Sequence, residues 1–190
     1  MASRMSRKTW VVLAVVIVAV GATVGVALSR GSPSSSDSTQ QPQTAPDFTL
    51  PTMIGANITL SDLEGTPIVL NFWSIGCSWC RYQLPFLEAL AQQSDGEIEV
   101  IVVNVVDSAS TIETFFDDYE PTMTVALDDE SATYLNYCQN FDNSRGSIPF
   151  TLFIDSEGTV QDKRIGAFAS EAELWDTLND VLGITPPQTS

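Results

Sequence analysis

The sequence predicts an α/β domain with a central mixed sheet flanked by helices, because short strand-like runs alternate along the chain with runs of helical spacing. Four runs are rich in β-branched residues and nearly continuously apolar, as expected of strands covered on both faces. A fifth run follows a Ser-Glu-Gly turn and is less apolar, which predicts a more exposed strand that forms a hairpin with its predecessor. The covered runs are residues 67–74, 98–106, 123–127 and 150–155, and the exposed run is residues 160–165.

Helices are predicted between and after these strands. Residues 131–138 predict a short helix, and Ser170 with Glu173 three residues later forms a capping box that opens the last helix. Gly183 can close that helix. Apolar residues at helical spacing define one face of each longer helix. These faces consist of Cys80, Leu84, Leu87 and Ala91 in the first helix and of Leu174, Leu178, Val181 and Leu182 in the last.

Charge is distributed unevenly along the 190 residues, and this distribution predicts the topology. Half of the eight basic residues lie before residue 31, whereas all 24 acidic residues lie at Asp37 or later. Residues 10–28 form an uncharged apolar run, which as a helix spans ~28 Å, close to the ~30 Å hydrocarbon core of a bilayer. We therefore expect residues 1–9 to be cytoplasmic, residues 10–28 to be a single transmembrane anchor in the cell membrane, and the rest to be extracytoplasmic. If residues 10–28 are instead a cleaved signal peptide, the domain is secreted.

The folded domain is expected over residues 45–184. Residues 29–44 are rich in Ser, Pro and Gln without apolar periodicity, which is typical of a flexible linker. Residues 185–190 form a short polar tail. The exported part is too acidic to bind nucleic acid, which excludes that class of partner.

The chain has three cysteines and no histidine, and this composition excludes several kinds of site. Cys-His and Ser-His-Asp nucleophile systems, HExxH zinc sites and CxxCH haem attachment all require histidine. A structural zinc site needs four ligands, and the cysteines supply only three. We therefore expect no metal site and no cofactor other than a redox-active disulfide.

Cys77-Ser-Trp-Cys80 stands where the strand 67–74 ends and the following helix begins. Two intervening residues at a helix start bring the sulfurs close enough to bond. Free backbone N–H groups and the helix dipole lower the pKa of the first thiol. Cys77 is therefore the candidate nucleophile and Cys80 the buried resolving thiol. A purely structural disulfide is the alternative, but closing so short a loop removes little chain entropy.

The motifs around this pair resemble those of membrane-anchored thioredoxin-fold thiol-disulfide oxidoreductases of the TlpA/ResA type, over about residues 45–183. The resemblance implies a thioredoxin fold with an N-terminal β-hairpin extension. The motifs that carry it are Ala45-Pro46-Asp47-Phe48 with Leu50, residues 60–67, Asn71-Phe72-Trp73, Pro85 after the second cysteine, Ile148-Pro149 and Gly166.

The same resemblance implies roles for residues beside the cysteines. Pro149 is expected to form a cis peptide bond and to pack against the CxxC pair, while the backbone of Ile148 pairs with an extended substrate segment. From its position beside Cys77, Trp79 is expected on the exposed rim, where it is able to contact a partner. Supporting positions in the active-site strand and helix are Asn71, Trp73, Gln83 and Pro85.

Two positions depart from the family pattern. Thioredoxin has a buried acid where this chain has Asn71, and ResA-type proteins have a glutamate three residues after the second cysteine, where this chain has Gln83. Such a carboxylate accepts the proton of the resolving thiol. Because neither side chain ionises, the proton of Cys80 must pass to water, to the departing thiolate or to another carboxylate such as Asp47 or Glu88.

The resemblance implies an extracytoplasmic reductase of disulfides in exported proteins, re-reduced by a membrane electron carrier and with apocytochrome c among its targets. A DsbA-like disulfide-forming oxidase is the alternative, because the Ser-Trp dipeptide does not define the direction. A tethered peptide-binding or chaperone module without turnover is the alternative of another class. A peroxiredoxin is disfavoured, since its peroxidatic cysteine normally stands in a T-x-x-C context.

The third thiol, Cys138, is interpreted as a buried small hydrophobe, with a regulatory or intermolecular thiol as the alternative.

Overall fold

The structure, a computed structural model, describes residues 43–117 and 119–187. The predicted cytoplasmic segment, the predicted anchor and residues 29–42 of the predicted linker lie outside the described residues. Within the described ranges, no helix combines the length and the hydropathy needed to cross a membrane. The strands are β1 (Gln43–Thr44), β2 (Thr49–Pro51), β3 (Asn57–Thr59), β4 (Ile68–Trp73), β5 (Glu99–Asn104), β6 (Thr124–Leu127), β7 (Phe150–Ile154) and β8 (Thr159–Ile165). The α-helices are α1 (Ser78–Gln93), α2 (Ala109–Phe116), α3 (Ala132–Asn140) and α4 (Glu171–Leu182).

A six-stranded mixed sheet in the order β1-β8-β7-β4-β5-β6 forms the centre of the domain. β4, β5 and β6 are parallel to one another. β7 pairs antiparallel with β4, and β8 pairs antiparallel with β7. β2 and β3 form a separate antiparallel hairpin, joined to β6 by an isolated bridge from Thr52 to Ala126. The thioredoxin-like fold, the mixed sheet and the N-terminal hairpin predicted from the sequence are confirmed.

The two faces of the sheet bury separate hydrophobic clusters, because successive side chains of a strand point to opposite faces. All six residues of β4 are buried. On one face, Leu70 and Phe72 pack with the hairpin and with α3. On the other, Val69 and Trp73 pack with α1, α2 and α4. The CxxC pair belongs to the second cluster and Cys138 to the first, so the sheet lies between Cys138 and the CxxC pair.

Two elements differ from the sequence-based expectation. Gln43 and Thr44, which the sequence assigns to the flexible linker, pair with Val160 and Thr159 as the edge strand β1. Backbone pairing and one hydrogen bond from the side chain of Gln43 to Asn140 hold this strand, and its two exposed polar residues have no apolar pattern that would predict it. The helix α2 was not predicted, since its eight residues are too few for a clear apolar period; Ser108 caps it by accepting a hydrogen bond from the backbone N–H of Thr111.

Candidate active site

The CxxC pair lies at the junction of β4 and α1 and forms a disulfide with a Cα–Cα distance of 5.2 Å. Cys77 is the N-cap residue of α1, and its Sγ accepts a hydrogen bond of 3.1 Å from the backbone N–H of Cys80. Cys77 is half-buried, whereas Cys80 is fully buried. The pair is therefore asymmetric: a partner can reach the first sulfur and not the second.

The Ile148–Pro149 peptide bond is cis, as the resemblance implies. The Sγ of Cys77 lies 3.8 Å from the carbonyl oxygen of Ile148, although the two residues are 71 positions apart in the chain. Pro149 is buried and its carbonyl accepts from the N–H of Gly166, while Ile148 is half-buried. The structure thus brings the proline loop against the accessible sulfur.

The backbone segment that leads into Cys77 is held by two charged side chains that sequence reasoning did not identify in this role. The N–H of Ile75 donates to Oδ2 of Asp107 at 2.8 Å, and the carbonyl of Ile75 accepts from Nη1 of Arg81 at 2.8 Å. Asn104 holds Asp107 in place, because its Nδ2 donates to the same carboxylate at 2.9 Å and its Oδ1 accepts from the N–H of Asp107. The available signal was that β4 and β5 are parallel, so the residues that follow them meet at one edge of the sheet.

The two non-ionisable residues named from the sequence are both fully buried. Asn71 donates from Nδ2 to Oγ1 of Thr151 at 2.8 Å, and its Oδ1 finds no donor in the described part of the chain. Gln83 accepts from the N–H of Phe168 at 3.3 Å through Oε1. Its Nε2 meets no acceptor within residues 43–117 and 119–187. Neither side chain can take up a proton near neutral pH.

The remaining positions named from the sequence divide into core and surface. Trp73 is fully buried and packs against the rings of Phe115 and Phe116 on α2. Pro85 lies inside α1 and lacks the N–H that would bond to the carbonyl of Arg81. Trp79 leaves 67% of its surface exposed, beside Cys77, as expected of a residue on the rim.

The two carboxylates considered as proton acceptors for Cys80 are engaged elsewhere. Asp47 accepts from the N–H of Phe48 and from both the N–H and the hydroxyl of Ser61, which ties the start of the hairpin to its end. Glu88 follows Cys80 by eight residues on α1, a rise of about 12 Å along a helix axis.

The Glu88 carboxylate holds the segment that precedes β6. Oε1 accepts from the hydroxyl of Tyr119, the N–H of Thr122 and the side chain of Gln92, and Oε2 accepts from the N–H of Met123. Burial raises the pKa of Glu88, but these hydrogen bonds together outweigh burial and hold the pKa below its usual value. Its observed role is structural.

Cys138 lies on α3, on the opposite face of the sheet from the CxxC pair, and is 5% exposed. Burial raises the pKa of its thiol, while hydrogen bonds with Tyr134 and Asn143 oppose that rise. Its burial agrees with the interpretation as a small hydrophobic residue. In the part of the chain that the structure describes, no cluster of three or more acidic, cysteine or histidine side chains is arranged to hold a metal ion.

Comparison with known proteins gives a family match and a group of similar sequences. The model of the AhpC/TSA family matches residues 42–163. The thioredoxin-like protein YneN of Bacillus subtilis (strain 168) is 29% identical over 167 residues, which cover 86% of this chain and 94% of that protein. The thiol-disulfide oxidoreductase ResA of the same strain is 29% identical over 180 residues, which cover 94% of this chain and 93% of that protein.

Solved structures agree with these sequence matches. A DsbE-type thiol:disulfide interchange protein from Chlorobium tepidum is 26% identical and has a TM-score of 0.64, covering 75% of this chain and 97% of that one. The exposed lipoprotein thioredoxin Etrx1 of Streptococcus pneumoniae is 25% identical and has a TM-score of 0.59, covering 71% of this chain and 99% of that one. The expected resemblance to ResA-type proteins is confirmed.

Proposed function

Because this chain belongs to the AhpC/TSA family and is a thiol-disulfide oxidoreductase of the ResA/DsbE type, we propose that it reduces disulfides in exported proteins. The observation that carries the proposal is the asymmetry of the disulfide. Cys77 is accessible at a helix N-terminus and lies 3.8 Å from the proline loop, whereas Cys80 is fully buried behind it. In such an arrangement, the accessible sulfur can attack a large substrate, and the buried sulfur can then resolve the mixed disulfide that forms.

The reaction begins with the reduced pair. The Cys77 thiolate, favoured by the N-terminus of α1, attacks one sulfur of a partner disulfide, and the other partner sulfur leaves with the electron pair and takes up a proton. Cys80, once deprotonated, then attacks Sγ of Cys77 in the mixed disulfide. The bond from Cys77 to the partner breaks and the partner leaves as a thiol. The protein is left with the Cys77–Cys80 disulfide, having given two electrons to its substrate.

The proline loop supplies a place for the substrate backbone. Among the described residues, the N–H and carbonyl of Ile148 have no backbone hydrogen-bond partner. An extended substrate segment can pair with these groups as an added strand, next to the sulfur that attacks it. The exposed indole of Trp79, two residues after Cys77, offers apolar contact to a partner.

The proposed setting is outside the cytoplasm, with residues 10–28 as the anchor and a membrane electron carrier as the source of electrons. The charge distribution supports this setting, because basic residues precede the apolar run and all acidic residues follow it. Haem-site cysteines of apocytochrome c are one candidate substrate. Gel migration and N-terminal sequencing of the membrane fraction test the anchor: a mature chain that begins near residue 29 would show that the apolar run is a cleaved signal.

The direction is tested by equilibrating the Cys77–Cys80 pair with glutathione buffers. A reduction potential well below about −200 mV supports a reductase, whereas a value near about −120 mV would establish a DsbA-like oxidase instead. Insulin reduction by the wild type, by Cys77→Ser and by the matched control Cys138→Ser tests turnover. We expect only Cys77→Ser to abolish it. Substrate binding that persists without Cys77-dependent turnover would favour a tethered binding module.

A further inference from the structure

Gln83 is a buried amide whose donor group is left unused in the oxidised protein. It lies one turn after Cys80 on α1, and both side chains are fully buried. The N–H of Phe168 can only donate, so the atom of Gln83 that faces it must be the carbonyl oxygen. The orientation of the amide is therefore determined, and Nε2 is the atom without an acceptor in the described part of the chain.

The geometry of α1 directs this side chain towards Cys80. Side chains of an α-helix lean towards its N-terminus, so residue 83 covers the turn that contains residue 80. Cys80 and Phe168 also pack in the same hydrophobic cluster. A buried N–H without an acceptor is unfavourable, and one that persists in a native structure calls for an explanation.

We propose that Nε2 of Gln83 donates a hydrogen bond to Sγ of Cys80 when the disulfide is reduced, and so stabilises the resolving thiolate. In the disulfide, this sulfur is uncharged and a weak acceptor; as a thiolate it carries a full negative charge inside the hydrophobic cluster, where a donor matters most. Gln83 takes up no proton in this role. The Cys80 proton leaves to solvent before the attack, and the amide lowers the free energy of the anion that remains.

The inference rests on the proposed exchange reaction and concerns its second step alone. In the first step Cys77 attacks the partner disulfide, and its Sγ accepts from the backbone N–H of Cys80 rather than from Gln83, so this step does not depend on the proposed donor. An amide does not titrate, so the pH dependence of the second step should follow a single ionisation, that of Cys80.

The test uses reduced full-length protein and an aromatic disulfide that releases a coloured thiolate. Attack by Cys77 releases the first equivalent in a step that depends on reagent concentration, and resolution by Cys80 releases the second in a step that does not. All proteins carry Cys138→Ala so that no third thiol contributes.

We expect Gln83→Leu to slow the second step roughly tenfold to a hundredfold at neutral pH, the equivalent of one hydrogen bond to a charged group, and to leave the first step unchanged. Gln93→Leu, on the exposed face of the same helix, is the matched control and should change neither step.

Gln83→Glu keeps a carbonyl oxygen for the N–H of Phe168 and so separates folding effects from the proposed contact. When this carboxylate is ionised, it has no hydrogen to donate and it repels the Cys80 thiolate. The rate of the second step in Gln83→Glu should therefore depend on two ionisations, whereas the wild-type rate depends on one. A second step that is unchanged in Gln83→Leu, or a pH profile of Gln83→Glu with one ionisation, overturns the inference and leaves the exchange function intact. Release of a single equivalent by the wild type would overturn both.

Discussion

The substitution Glu88→Gln tests whether this buried carboxylate is a structural clamp, as its contacts indicate, or a proton acceptor for Cys80. In the variant, an NH2 group replaces one of the two oxygens that accept backbone hydrogens from Thr122 and Met123. One buried N–H then faces a donor and loses its acceptor, which costs ~1–3 kcal/mol. We expect a loss of about 2 kcal/mol in the free energy of unfolding, or roughly 4–8 °C in Tm for a chain of this size.

The effect should depend on pH with a defined sign. The hydrogen bonds hold the pKa of Glu88 in the folded state below its value in the unfolded state. The stabilisation is therefore fully present above the unfolded pKa of ~4.3 and is lost as the pH falls through the folded pKa. The stability difference between wild type and Glu88→Gln should shrink below about pH 4.

Urea unfolding at neutral and acidic pH measures this difference, with Glu113→Gln on the exposed face of α2 as the matched control. The two-step exchange assay on the same variant should give rates within about twofold of the wild type, since residue 88 is about 12 Å from residue 80 along the helix. Unchanged stability at neutral pH would refute the clamp. A selectively slower second step would show instead that Glu88 takes the proton of Cys80.

Two further predictions follow from other contacts. Asp107→Ala removes the carboxylate that accepts from the N–H of Ile75, so we expect a loss of ~1.5–3 kcal/mol in the free energy of unfolding. Amide hydrogen exchange at Ile75, measured by mass spectrometry, should become faster. An unchanged exchange rate would contradict the role given to this contact. Cys138 in the folded, oxidised protein should react with N-ethylmaleimide at least about 100-fold more slowly than in urea, because burial both shields the thiol and raises its pKa. A rate close to that of a free thiol would instead support a regulatory or intermolecular role.

Much of the domain could be predicted from local patterns. The apolar runs correspond to β4, β5, β6, β7 and β8, with bounds that agree within two residues. Half of the predicted capping box is present: Ser170 accepts from the N–H of Glu173, but the Glu173 carboxylate accepts from the N–H of Ala169 rather than from that of Ser170. Such features are readable because each depends on residues close together in the chain. β1 could not be predicted, because its pairing partner lies in β8 and its own two residues carry no pattern.

The sequence by itself determined the chemistry: two cysteines at a strand-to-helix junction, no histidine, and amides at Asn71 and Gln83. These follow from residue identity and local spacing. Only the tertiary structure decided which groups surround the thiols. The sheet order brings the loop at Ile148 to Cys77, and it places the Asp107 carboxylate where it accepts from the N–H of Ile75. The N–H of Phe168 bonds to the carbonyl oxygen of Gln83, so the NH2 group of that amide points away from Phe168. Contacts between residues so far apart in the chain depend on how strands are ordered and packed, which no local pattern encodes.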